Sequence, residues 1–265
     1  MPELAEVEYY RTRWNPGLRQ PITAVHLHGA KRVFRGQDPT AIEKALRGAR
    51  LLGSQAGGKQ MLFRFSGDAW IGIHLGMTGA LRTEPPSFVP QKHDHFVLQQ
   101  KKQSLVFSDP RQFGRVLFHR GRDEPAWWSG RALDIGAPKF TAAHVAKILD
   151  RHSKAPVKAI LLDQKSFPGV GNWMADEILW RAGIKPSTLC GKIRNARLKS
   201  VWRDTRAVAR EALRIIGPDF GDLPRTWLFW ERWKKDGKCP KHRLPLERAQ
   251  VGGRTTAWCP RCQPV

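Results

Sequence analysis

Acidic residues are scarce in this chain. Only 23 Asp and Glu stand against 46 Lys and Arg in 265 residues, a formal charge of +23 with histidine neutral. That balance excludes an average soluble enzyme and favours a polyanion partner, because Lys and Arg gain affinity for a phosphate backbone by releasing its condensed counterions. Nucleic acid leads; an acidic membrane surface or a merely solubilising charge stays open on this ground alone. Cysteine is also sparse. Four are too few to staple a chain of this length, and three of them fall in the last 27 residues, a crowding that points to metal rather than disulfides. No apolar run is long enough to cross a bilayer, and the opening MPELAEVE is acidic where a secretory signal is basic and then apolar. The expectation is an intracellular protein with no membrane partner. Internal repeats and low-complexity tracts are absent as well.

Core-forming residues are plentiful: 41% hydrophobic content with 11 Trp and 12 Phe excludes disorder. Leu4, Val7, Tyr10 and Trp14 make a helical stripe that Asn15-Pro16-Gly17 stops. Short β-like runs follow at 25–27, 61–65, 70–75, 96–98, 105–107 and 116–118, with a short helix from Asp38-Pro39 through Leu46. Such strands, separated by Gly, Pro and Asp, predict an antiparallel sandwich or barrel. The segment GRDEPAWWSG at 121–130 breaks the pattern and marks a domain boundary. Helices are predicted beyond it at 141–152, 157–162, 173–182 and 193–216. The last has Val201, Val208, Ala212 and Ile216 on one face and Lys and Arg opposite. From Arg225 on, ten Lys/Arg face three Asp/Glu.

Four places carry chemistry. Cys239-Pro-Lys-His242 and Cys259-Pro-Arg-Cys262, sixteen residues apart, supply four donors for a tetrahedral zinc. Gly252-Gly253-Arg254 between them reads as a turn entering a strand. The zinc would staple a β-hairpin, and four protein ligands leave it no open position, so its role is to fold what the hairpin presents, such as Arg254. Cys190 stands alone and reads as a packed thiol. PGVGN, ending at Asn172, is a glycine turn before a helix: either a phosphate cradle at the helix N-terminus or an ordinary turn. HLGMTG and DPRQFG place Met77, Arg111 and Phe113 on glycine-bounded loops, where they could wedge into a base stack; blind, Met77 and Phe113 equally suit a core. Lys92-His93-Asp94-His95 reads as a solvated loop or a phosphate-contacting histidine, with a second metal site the weaker alternative. Last, removal of Met1 would free the secondary amine of Pro2, a nucleophile less protonated near neutrality than a lysine. Glu3 and Glu6 sit beside it, or else simply complement a helix dipole.

PELAEVE at the start, HLGMTG, KHDHF, DPRQFG, PGVGN and the terminal metal hairpin, in this order, resemble formamidopyrimidine-DNA glycosylase and its relative endonuclease VIII. The resemblance runs from Pro2 to Cys262. It implies an α+β multidomain fold: a two-layered N-terminal β-sandwich (1–122), a helix–two-turn–helix domain (131–222) and a zinc-finger hairpin (225–265), with double-stranded DNA in the cleft between them. It implies excision of an oxidised base followed by strand cleavage, by a monomer acting on DNA that carries oxidised bases or abasic sites. Pro2 would attack C1′ and form a Schiff base, Glu3 would act as general acid on the sugar ring, and Glu6 would help hold both. Lys59 matches the family lysine of β-elimination, and Arg254 the arginine of phosphate binding and δ-elimination. Asn172 and Lys158 would grip phosphates, Met77, Arg111 and Phe113 would fill the void left by the flipped nucleotide, and His93 would touch DNA. Three departures stand out. His242 replaces a usual cysteine ligand. The stretch 217–224 is shorter than the loop that caps 8-oxoguanine in the guanine-specific branch, which leaves oxidised or ring-opened purines, oxidised pyrimidines and hydantoins open as lesions. Met1, while attached, acylates the Pro2 nitrogen. The rival reading is a non-catalytic damage sensor or architectural DNA-binding protein, which would dispense with Pro2, Glu3 or Lys59.

Overall fold

The computed structural model describes residues 1–264. The chain divides into two compact units, Met1–Pro2 with Glu6–Arg131, and Glu3–Ala5 with the chain from Ala132 onward. Helix α1 (Leu4–Thr12) forms over the expected stripe, and the Asn15–Gly17 stop signal becomes a 3₁₀ turn.

In the first unit β1 (Ile22–Leu27) and α2 (Pro39–Leu46) precede β2 (Leu51–Gly57), β3 (Gln60–Phe65), β4 (Ala69–His74), β5 (Ala80–Glu84), β6 (Asp94–Gln100), β7 (Ser104–Ser108) and β8 (Arg115–Arg120). They form two antiparallel four-stranded sheets, ordered β1-β6-β7-β5 and β2-β3-β4-β8. Alternate residues enter one shared core: Phe63, Ile71 and Ile73 from one sheet, Phe96, Leu98 and Phe107 from the other. Trp14 lies in that core, its ring 4.7 Å from Phe63 and 6.0 Å from Phe96, its indole N–H donating to Val106 O at 3.2 Å. The sandwich forms as expected. Two of its strands, β2 and β5, have no signal in the sequence: LLGSQAG is poor in β-branched residues, and ALRTE is too short and polar to alternate clearly. Helix α3 (Ala126–Ser129) lies in the expected boundary segment, which packs as part of the first unit. Trp127 and Trp128 join Leu62 and Trp70 in a small cluster, and a Cβ on Gly72 would overlap the Trp127 ring.

The second unit holds α4 (Ala142–Arg151), α5 (Val157–Leu161), α6 (Asn172–Ala182), α7 (Asn195–Asp219) and the antiparallel strands β9 (Glu247–Val251) and β10 (Arg254–Trp258). Thr141 caps α4 by accepting from His144 N, and α6 ends on Gly183 with φ +67°. Helix α7 runs further than predicted, through Pro218, and stops where Phe220 turns left-handed at φ +62°. A proline in a last turn removes one hydrogen bond without ending the helix; the first three residues of 217–224 are therefore helical, not loop. Gly252 and Gly253, at φ +61° and +69°, make the two-residue hairpin turn between β9 and β10.

Candidate active site

Glu3 is 3% exposed although it lies at the chain's start. Its carboxylate accepts three backbone hydrogen bonds at the N-terminus of α6: Oε2 from Gly171 N at 2.9 Å and Met174 N at 3.1 Å, Oε1 from Trp173 N at 2.9 Å. Leu4 N donates to Gly169 O at 3.0 Å and continues the clasp. These amides are the unpaired donors of a helix start, where negative charge is favoured. The glycine turn serves this seat. A Cβ on Gly171 would run into the Glu3 carboxylate, Gly169 has φ +88°, and its Cβ would meet Leu4. The turn is a cradle, and the group it admits in this structure is the chain's own carboxylate, which takes the Gly171, Trp173 and Met174 amides. Glu3 does complement a helix dipole, that of α6 rather than of the helix it precedes.

Behind this seat lies a buried ion network. Lys158, fully buried, sets its Nζ 2.6 Å from Asp176 Oδ1 and donates to Thr256 Oγ1 at 2.6 Å and Thr255 O at 3.3 Å. Arg232 reaches Asp176 Oδ2 through Nε at 2.9 Å and Nη2 at 2.6 Å. Burial pulls the Lys158 pKa below its ordinary value, while Asp176 pulls the other way. An ammonium enclosed like this does not reach solvent, so the phosphate grip expected of Lys158 is corrected: the side chain anchors β10 to α5 and α6. Asn172, half-buried, donates through Nδ2 to Thr255 O at 3.0 Å, which leaves it one amide hydrogen. Arg254, one residue before Thr255, is exposed. Asp176 and Arg232 escaped the sequence reading. The one signal for Asp176 was its place one helical turn after Asn172.

In the first unit, Asp109 organises the two glycine loops. Fully buried, it accepts from Gly114 N at 2.7 Å through Oδ2 and from Thr78 Oγ1 at 2.7 Å through Oδ1, while its carbonyl lies 3.0 Å from His95 Nε2. Gly76, at φ +63°, lies so close to the backbone of Phe113 that a Cβ would not fit. On these joined loops Met77 is 42% and Phe113 41% exposed, which decides against the core reading, and the Arg111 guanidinium lies 4.7 Å over the Phe113 ring. Lys59 occupies the β2–β3 turn after Gly58, whose φ is +59°, and is 8% exposed. His74 accepts from Gly76 N through Nδ1 at 3.0 Å, so its protonation would break the turn. Burial first, then Lys59 and Arg35, hold its pKa below the ordinary value. Pro2 and Glu6 are both half-buried. His93 is exposed, whereas Asp94 is held by Arg82 at 2.8 Å and His95 by Asp109, so KHDHF is no metal cluster.

Cys239, His242, Cys259 and Cys262 bring their four ligand atoms within 4.8 Å of one another. Cys239 Sγ lies 3.6 Å from Cys262 Sγ, and His242 Nδ1 lies 3.2 Å from Cys262 Sγ and 3.9 Å from each of the other two sulfurs. Donors about 2.0–2.3 Å from one tetrahedral centre must stand this far apart, so the set fits one metal ion with Nδ1 as the histidine ligand. Trp180 of α6 donates to Cys239 Sγ at 3.4 Å, which ties the knuckle to the helices and supports the ligand from outside. Cys190 is buried with its thiol pushed up to about 11, consistent with a packed, inert group. Among the described residues no helix is long and apolar enough to cross a membrane.

Comparison with known proteins agrees with this arrangement. Residues 1–116 match the family profile described as the formamidopyrimidine-DNA glycosylase N-terminal domain, and residues 132–219 match the H2TH domain of the same family. A formamidopyrimidine-DNA glycosylase of Rhizorhabdus wittichii is 34% identical, over 99% of this chain and 100% of its own. One from Janthinobacterium is 32% identical over the same shares. The crystal structure of Lactococcus lactis Fpg (MutM), in complex with an oxidised-pyrimidine-containing DNA, superposes with TM-score 0.90 over all of both chains at 23% identity.

Proposed function

The chain belongs to the formamidopyrimidine-DNA glycosylase family, and on that premise we propose that it removes oxidised bases from duplex DNA and then cuts the strand, through a Schiff base on the amine of Pro2. It is a base-excision DNA glycosylase with a lyase step. One observation carries the mechanism: the carboxylate next to Pro2 in the chain is held by three α6 amides with both oxygens engaged.

Once Met1 is removed, the Pro2 nitrogen lone pair attacks C1′ and the damaged base leaves with its bonding electrons. The N–H proton must then depart. Glu3 is an acceptor as it stands, so it takes this proton and passes it to the ring oxygen as the C1′–O4′ bond opens. The resulting iminium is the electron sink that acidifies C2′; loss of a C2′ proton expels the 3′ phosphate, and a second elimination expels the 5′ phosphate. Glu6 steadies the amine, Lys59 serves β-elimination, and Arg254 serves the 5′ phosphate. Asn172 gives its remaining amide hydrogen to the backbone, His93 contacts a neighbouring phosphate, and Met77, Arg111 and Phe113 fill the emptied stack. The metal is zinc, which suits three thiolates and an imidazole, and with four protein ligands its contribution is to fold the hairpin that presents Arg254. The working species is a monomer in the compartment that holds DNA.

Borohydride trapping tests this reading. The mature protein should become covalently joined to abasic-site DNA at residue 2. Retained Met1 or Pro2→Gly should suppress the adduct, and an intact, untrapped duplex would mean a binder without chemistry. Excision assays on duplexes with oxidised purines, hydantoins and oxidised pyrimidines would assign the lesion.

A further inference from the structure

Helix α7 carries a feature that this chemistry leaves unused. Lys199, Arg203, Arg206, Arg210 and Arg214 follow at steps of four, three, four and four residues. At about 100° per residue these steps confine all five to an arc of about 80°. From first to last they span about 22 Å of helix axis. Val201, Val208, Ala212 and Ile216, all buried, occupy the other side.

Two members are pinned by the protein. Arg203 makes a two-pronged bond to Asp204, at 2.8 and 2.9 Å, and Arg206 donates to Ala137 O at 2.7 Å. Lys199, Arg210 and Arg214 are exposed and have no partner among the described residues. The nearby carboxylate of Glu211 faces Arg181, at 3.1 Å. A solvated helix surface gains from opposite charges at i,i+4. Here those steps join Lys199 to Arg203, Arg206 to Arg210 and Arg210 to Arg214, like charges that weaken the helix unless an anion lies across them.

We propose that this face of α7 is a second, sequence-independent contact for the phosphate backbone of duplex DNA, separate from the residues that handle the damaged nucleotide. A linear row of cations matches a linear polyanion, and guanidinium groups hold phosphate oxygens in pairs. The proposal rests on the DNA reading above but uses none of its catalytic residues.

The test is the triple variant Lys199→Gln, Arg210→Gln, Arg214→Gln, in the mature full-length protein. Glutamine keeps helix propensity, and none of the three holds another element. Binding to an undamaged duplex is measured against salt. Each lost phosphate contact flattens the slope of log affinity against log salt by about 0.9, so the variant's slope should be shallower by about 2.7, and its affinity loss between 50 and 200 mM salt about 40-fold smaller. Borohydride trapping on abasic DNA, at saturating protein, should persist. An unchanged slope overturns the proposal, as does a slope that changes only for single-stranded RNA. If the wild type fails to trap while the slope still falls, the glycosylase reading fails and the α7 contact stands.

Discussion

The Glu3 carboxylate and the Gly171 amide meet at 2.9 Å across 168 residues of chain, at the start of α6. The carboxylate next to Pro2 in the chain is thereby fixed by backbone, and the glycine is required because a side chain would occupy the space of the carboxylate.

Gly171→Ala tests that relation with a single methyl group. Its backbone has φ −121°, which any residue adopts, so the only insult is the collision with Glu3. Overpacking of this kind costs about 1–3 kcal/mol. Displacing the acid by about 1 Å should slow base excision by about 100-fold. Thermal melts and single-turnover excision check both; full excision activity would show that the position of Glu3 does not matter.

Asp109→Asn should release the two wedge loops. An amide nitrogen in place of either oxygen faces a backbone donor, Gly114 N at Oδ2 or Arg111 N at Oδ1, and a buried unpaired group costs about 1–3 kcal/mol. Affinity for lesion duplex and discrimination of the opposing base should both fall, because Met77, Arg111 and Phe113 would no longer be presented together. Unaltered discrimination would detach Asp109 from the wedge.

His74 predicts an acid-sensitive loop. Its folded pKa is depressed below 6.5, so the unfolded chain binds more protons between the folded value and 6.5. Its contribution is therefore complete above pH 6.5 and is lost as pH falls through that window. His74→Gln, which can still accept from Gly76 N, should remove this part of the pH dependence. Melting temperatures from pH 7.5 down to 5, wild type against variant, should diverge below about 6.5; parallel curves would refute the assignment.

Metal removal should undo the hairpin. Cys259→Ser, or a strong chelator, should lower metal content from one ion per chain and abolish DNA cleavage by displacing Arg254, whereas His242→Cys should retain the ion, since thiolate and imidazole are both good zinc donors. Elemental analysis beside nicking assays reads this; a metal-free protein that still cuts DNA would separate the two.

Much of the site was legible because its chemistry sits in short, contiguous spacings. The ligand pairs 239/242 and 259/262, the Gly252-Gly253 turn and the glycine-bounded loops that expose Met77 and Phe113 are local patterns, and the structure keeps each. Strands β2 and β5 were illegible because sheet neighbours, not their own side chains, hold them. Lys158 entered through the family resemblance alone, which carries over a position without its surroundings, and only the burial of Asp176 and Thr256 beside it shows an internal anchor.

The sequence by itself determined that the protein is strongly basic, that its first half is β-rich and its second helical, and that its last residues can clasp a metal, since charge, periodicity and ligand spacing are properties of the chain alone. Tertiary structure alone decided what the glycines of PGVGN are for, which of Lys158 and Arg254 faces solvent, and that the carboxylate at residue 3 caps a helix beginning at residue 172. Those are outcomes of which distant groups exclude water from one another, and a linear pattern does not encode them in any single window.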